Sequence, residues 1–128
     1  MFNDILDSIL TVAETTPGLF STITSGSVPG QNGIAAYLGP SSPRDHYFNR
    51  SKTYDVIVVF NAKHADQSIA LDALSEISRT LDHADVFPAG DVWEIEAIDT
   101  KLAPSLTGQD SDNQWIYTMT VSAMVTTN

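Results

Sequence analysis

The sequence predicts an α+β fold, a mostly antiparallel four-stranded sheet with two helices packed on one face. Three observations predict it. Between residues 66 and 81, Ile69, Ala73, Leu74, Ile77 and Leu81 recur at helical spacing, opposite Asp72, Ser75, Glu76 and Arg79. Strand-like runs flank that helix, at residues 53–62 before it and at 92–98 and 114–126 after it, each with an apolar face to offer. An earlier helical stripe and a short strand complete the order helix, strand, strand, helix, strand, strand.

The first helix covers residues 2–14, where Phe2, Ile5, Leu6, Ile9, Leu10 and Ala13 share one stripe. Asn3 is the candidate cap, Asp4 and Asp7 suit the positive end of the helix dipole, and Pro17 with Gly18 ends the helix. Residues 19–23 form a short Thr-containing strand or the approach to one, followed by a Gly- and Pro-bearing loop at 25–33. Residues 34–38 predict a brief strand, an edge candidate, with Ile34, Ala36 and Leu38 on one face; Gly39 and Pro40 close it. Residues 39–52 then predict a long hairpin loop.

In residues 53–62, Tyr54, Val56, Val58 and Phe60 share one face and Asp55, Ile57 and Val59 the other. Both faces are largely apolar, which predicts the central strand. Asp66 is the predicted N-cap of the second helix, its carboxylate placed to accept an orphan amide hydrogen bond. After a connection at 82–91, Trp93, Ile95 and Ala97 alternate with Glu94 and Glu96, one side for core and one for water. A second polar loop is predicted at 103–113, with Pro104, Gly108, Asp110 and Asp112. The last strand has the cleanest alternation: Trp115, Tyr117, Met119, Val121, Ala123 and Val125 inward; Thr118, Thr120, Ser122 and Thr126 outward.

The totals exclude several function classes. A chain of 128 residues predicts one domain, residues 1–128, able to bury a core without covalent staples. With no cysteine there is no disulfide, thiolate zinc site, iron-sulfur cluster or cysteine nucleophile. Sixteen acidic against six basic residues, net −10, argue against a surface built to grip nucleic-acid phosphates or anionic lipid. No apolar run approaches the roughly 20 residues of a membrane helix, and the N-terminus lacks a secretory signal pattern, so a cytoplasmic site of synthesis and use is expected.

Motifs for chemistry are missing. His46, His64 and His83 are too dispersed for a metal motif. Asp82, His83 and Asp85 fall at a helix end, where a cation complements the last carbonyls. Asp110 and Asp112 have the spacing of early calcium-loop ligands, but no glutamate closes the loop. Glu94 and Glu96 share a strand face in the manner of a glycosidase pair, yet alternating charge on a half-exposed strand is ordinarily solvated surface. The Gly26-Ser27-Val28-Pro29-Gly30 stretch fits neither a nucleophile elbow nor a phosphate loop, and the Asn49-Arg50-Ser51 sequon lacks a secretory context. No catalytic residue, metal or cofactor is expected.

One segment stands out. Arg44, Asp45, His46, Tyr47, Phe48 and Arg50 bring two arginines, a histidine and two aromatics together in an acidic chain. Arg, Tyr and Phe are the side chains that anchor protein interfaces. Tyr47 and Phe48 either begin the central strand and pack inward or face a partner; the segment is the partner-facing candidate in both cases.

The order of elements, with Phe2-Asn3-Asp4-Ile5-Leu6, Tyr54-Asp55-Val56-Ile57-Val58-Val59, Ala70-Leu71-Asp72-Ala73-Leu74-Ser75-Glu76-Ile77 and the Thr-rich Trp115-Ile116-Tyr117-Thr118-Met119-Thr120-Val121, resembles the tail terminator or minor capsid proteins of long-tailed siphophages. The likeness spans nearly the whole chain. It implies a tail-terminator-like fold and a non-enzymatic structural protein of the virion neck, assembled in the host cytoplasm. It further implies a homo-oligomeric ring, commonly hexameric, that caps the tail tube and joins it to the head connector. The partners implied are other copies of the chain, the tail tube protein and the connector protein, with DNA passing through without specific binding. A net negative wall suits such passage. The alternatives are another neck or head-completion protein of similar fold or, from a different class, a small acidic ligand-binding or enzyme accessory domain with a pocket between sheet and helix.

Overall fold

The computed structural model describes residues 2–26, 32–40, 42–46, 52–84, 87–90, 92–110 and 113–127. Helix α1 (Phe2–Ala13) buries Ile5, Leu6, Ser8, Ile9, Leu10 and Ala13, the stripe its spacing dictates plus one serine. The hydroxyl of that Ser8 donates to the Pro88 carbonyl at 2.6 Å, so a polar group enters the packed face with its hydrogen bond made. Asn3 lies inside the helix rather than at its cap. Phe2, at the exposed end, meets the ring of Tyr54 edge to face with centroids 6.0 Å apart.

Helix α2 (Gln67–His83) begins where the carboxylate rule places it: Asp66 is the N-cap and accepts from the Ser68 amide at 2.9 Å. Its buried face is Ala70, Ala73, Leu74, Ile77 and Leu81. Ile69, predicted on that stripe, stands 39% exposed, and the small Ala70 takes the buried place. The turn after α1 reaches α2 through hydroxyls, with Thr16 Oγ1 2.8 Å from Thr80 Oγ1.

Among the described residues the sheet holds six strands: β1 (Ile23–Ser25), β2 (Gly33–Leu38), β3 (Ser42–His46), β4 (Lys52–His64), β5 (Trp93–Gln109) and β6 (Trp115–Thr127). Their order is β1-β2-β4-β6-β5, with β3 paired to β4 as well. The four-stranded expectation is therefore corrected to a mixed sheet, because β1 adds parallel to β2 and β3 adds antiparallel to β4. β2, expected as an edge candidate, has neighbours on both sides. β2 runs along residues 58–63 of β4 and β3 along 52–55, so the two share one flank of the long strand. Residues 39–52, read from sequence as loop, thus contain a strand.

Two further corrections concern β5. The predicted polar loop at 103–113 is mostly strand, since β5 continues through Pro104 and Gly108 to Gln109. An edge position tolerates proline, whose missing amide would otherwise break a ladder. The alternation of residues 93–97 also fails to persist. Ile95 pairs with Val125 and Ala97 with Met124, so Glu96 is an extra residue at a bulge and the faces switch there. Ile98 is buried as a result, while Ala97 is exposed.

One face of the sheet carries the core. Ile34, Ala36, Val56, Val58, Phe60, Ala62, Met119, Val121, Ala123 and Val125 are buried there with the inner faces of both helices. Burial of Ile- and Leu-sized side chains at about 1.5–3 kcal/mol each is the main force holding α1 and α2 to the sheet. The other face has no helix on it among the described residues, and this open face positions the candidate site.

Candidate functional site

The groups that do chemistry stay scattered. No set of three or more His, Asp or Glu residues among the described residues is placed to hold a metal. The His64 Nδ1 accepts from the Asp66 amide at 2.9 Å and its ring meets Phe20 edge to face, a corner-stabilising role. His83 ends α2, where the Ala84 amide donates to the Leu81 carbonyl at 3.4 Å. Asp85 and Asp112 lie outside the described residues. Asp110, the other calcium-loop candidate, closes a turn instead: its carboxylate accepts from the Gln114 amide at 3.0 Å and pairs with Lys63. Glu94 and Glu96 are parted by the bulge, which removes the paired-carboxylate geometry.

The open face is a candidate contact surface. Cross-strand partners share a face, so the register defines it row by row. One row runs Tyr37, Val59, Thr120, Leu102; the next runs Ala35, Asn61, Thr118, Ser105. Ile57 and Val59 are half-buried here, Tyr37 is 42% exposed and Leu102 is 65% exposed. The second apolar face of β4 is thus only partly covered by its own chain. Hydroxyls stitch the neighbouring row together: Thr118 Oγ1 donates to Asn61 Oδ1 at 2.7 Å, and Thr107 Oγ1 lies 2.9 Å from Thr118 Oγ1. A shallow cleft of about 530 Å³ opens here, lined by Tyr37, Asn61, Lys63, Thr107, Ile116 and Thr118. A second cleft of about 550 Å³ lies between α1 and residues 88–93.

Strand β5, the outer arm of the β5–β6 hairpin, is largely exposed. Its outer half, residues 101–109, is exposed or half-exposed at every position, with Leu102 and Leu106 on opposite faces and Leu106 48% exposed. The turn that follows it is firmly held. Gln114, only 3% exposed, accepts from the Asn32 amide at 2.9 Å, and the Asn32 side chain accepts from the Ala65 amide at 3.3 Å. Asn32 and Asn113 take left-handed φ values of 52° and 61°, which Asn tolerates better than most residues. These bonds tie the hairpin turn to the start of β2 and to the corner before α2.

Of the sequence-predicted interface residues, Arg44, Asp45 and His46 fall on β3, along the flank of β4. Tyr47, Phe48 and Arg50 lie outside the described residues. Sequence reasoning missed Tyr37, Leu102 and Leu106. Their signal was present, since two leucines are out of place in a polar loop and an aromatic between Ala36 and Leu38 must face away from the core.

An α+β subunit with one sheet face uncovered among the described residues, an exposed outer strand and scattered chemical groups is defined by its surfaces, in the manner of a structural assembly protein. The sequence profile of the bacteriophage tail terminator proteins matches residues 11–127, and the chain belongs to that family. The family is structural rather than enzymatic, and its member here is a component of the phage virion, at the neck. Among solved structures, a chain in the virion of a native gene transfer agent particle is similar over 98% of this chain and 91% of that one, with 14% identity and a TM-score of 0.56. At that identity the likeness concerns the fold. No curated protein matches.

Proposed function

We propose that the chain, acting as a single domain, assembles into a closed ring, hexameric as in the proteins it resembles, that caps the tail tube and joins it to the head connector. The observation that carries this reading is the shape of the sheet: among the described residues, no further strand pairs with β3 or with β5, and the outer half of β5 is exposed. A ring needs two different patches per subunit, and the two flanks of one sheet provide them. In this reading residues 39–52, with Arg44, Asp45, His46, Tyr47, Phe48 and Arg50, and the outer part of the β5–β6 hairpin contact neighbours, tube or connector. DNA passes the ring without specific binding. The virion origin of the structural neighbour agrees with such a role.

The test is made in the phage. Replacing residues 44–48 by Gly and Ser is expected to leave a folded subunit while filled heads and tails accumulate unjoined in electron micrographs. Normal virions from that variant would overturn the assignment of this segment.

A further inference from the structure

The turn that links β5 to β6 is clasped to the start of β2 through Asn32, and that asparagine sits in a reactive sequence. Of the six asparagines in the chain, Asn32 is the one followed by glycine. Its backbone amide donates to Gln114 Oε1 at 2.9 Å, and its own Oδ1 accepts from the Ala65 amide at 3.3 Å. Gln114 is buried, and its amide donates in turn to Asp110 Oδ1 at 3.0 Å. Asn32 is exposed and holds a left-handed φ of 52°, while Gly33 is buried and opens β2 opposite Lys63 of β4.

An asparagine followed by glycine carries an electrophile and a nucleophile within ring-closing reach of each other. The Gly33 nitrogen, once deprotonated, attacks Asn32 Cγ and closes a cyclic imide: the N–Cγ bond forms, the Cγ–Nδ2 bond breaks, and Nδ2 leaves as ammonia. Water then opens the ring. Hydrolysis of the new N–Cγ bond leaves aspartate, and hydrolysis of the bond from that nitrogen to the main-chain carbonyl leaves isoaspartate. No oxidant or reductant is needed. Glycine is the neighbour that permits the attack, since it has no Cβ to obstruct the approach and the freest backbone. Asparagine counts among the thermolabile residues of proteins.

We propose that Asn32 is a site of spontaneous deamidation gated by this clasp, closed while its bonds to Gln114 and Ala65 are made and open when they break. With the clasp made, the attacking nitrogen belongs to a buried residue at the head of a paired strand, and Cγ is tethered through Oδ1 to the corner before α2. With the clasp broken, the Gly33 nitrogen gains both solvent and the freedom to turn toward Cγ. The two products act differently on the fold. Aspartate keeps a side-chain oxygen that can accept from the Ala65 amide, whereas isoaspartate routes the main chain through Cβ and Cγ, lengthens it just ahead of β2 and moves that acceptor away. The turn at residues 110–114 then loses its tie to β2 and to the corner. Neither step depends on how the subunits assemble.

The full chain is incubated at mildly alkaline pH, folded and in denaturing urea, and residue 32 is followed by peptide mass spectrometry with isoaspartate-specific methylation of the products. In urea, Asn32 should convert faster than Asn61 and Asn113 of the same sample. Folding should slow conversion at Asn32 about tenfold or more, because the rate follows the population of the open form. Gln114→Ala, checked for folding by Trp fluorescence, should speed conversion about fivefold over the folded parent by deleting one hydrogen bond of the clasp. Should that variant not fold, the parent chain in urea below its unfolding midpoint serves in its place, and conversion there should rise ahead of global unfolding. Asn32→Gln should leave residue 32 unconverted. A folded chain that converts as fast as the unfolded one would overturn the gate, as would a rate untouched by Gln114→Ala or one that climbs only with global unfolding. Equal conversion of Asn32, Asn61 and Asn113 in urea would remove the site itself.

Discussion

Single residues mark where the chain's own chemistry fixes its structure. Asp66 caps α2 through one hydrogen bond to the Ser68 amide, and Asp66→Ala is expected to lower stability by about 1 kcal/mol, read as a shift in urea midpoint with unchanged slope. An unchanged midpoint would deny the cap its role. Leu74 is fully buried at the contact of α2 with the sheet, so Leu74→Ala should cost about 2–5 kcal/mol in the same titration, the spread reflecting how far the site collapses. Gly90 is constrained by space: a Cβ there would strike the indole of Trp93, a large side chain buried among its neighbours. Gly90→Ala is therefore expected to destabilise by about 1–3 kcal/mol, with a change in Trp fluorescence as the ring moves. Asp66 was legible in the sequence because a cap is a local feature. Gly90 was not, since the atom it must avoid is set by the tertiary path of residues 87–93.

At the scale of elements, legibility follows how local the stabilising contacts are. Both helices were readable because a 3.6-residue stripe survives any tertiary context, and their main error, Ile69 for Ala70, is a rotation of one position. The long strands β4 and β6 were readable for the same reason at period 2. β1 was legible only as the approach to a strand at residues 19–23, and β3 was hidden, because strands of three and five residues exist only through pairing with distant partners. The outer half of β5 was hidden by Pro104 and Gly108, turn formers in most contexts, and by register shifts that reset the alternation every few residues. The exposure of that half-strand has a measurable consequence. Leu102→Ser with Leu106→Ser should move the unfolding free energy by no more than about 0.5 kcal/mol, since neither side chain is buried in the subunit. The same pair should reduce ring formation on tail tubes, counted in negative-stain images. Loss of stability instead would place these leucines in the subunit's own core.

For the whole molecule the governing quantity is charge. A net −10 on 128 residues creates a field that opposes phosphates and also opposes the approach of further copies of the chain in the proposed ring. The two effects separate by range. Repulsion between subunits is carried by charges spread over the surface and decays over about 8 Å at physiological salt, whereas pairs formed directly at an interface are screened far less. Raising salt from low to physiological levels is therefore expected to strengthen the proposed self-association, by removing the net repulsion. Duplex DNA meets the repulsion without compensating pairs. Lys63, which lines the cleft on the open face, is already paired with Asp110. In fluorescence anisotropy with a labelled duplex at about 150 mM salt, the chain should show no binding up to about 10⁻⁴ M, the weak end of ordinary non-specific affinity. Micromolar binding with a steep negative salt slope would mean that a basic surface forms in the assembled state, and the lumen could not then be a wall past which DNA slides freely.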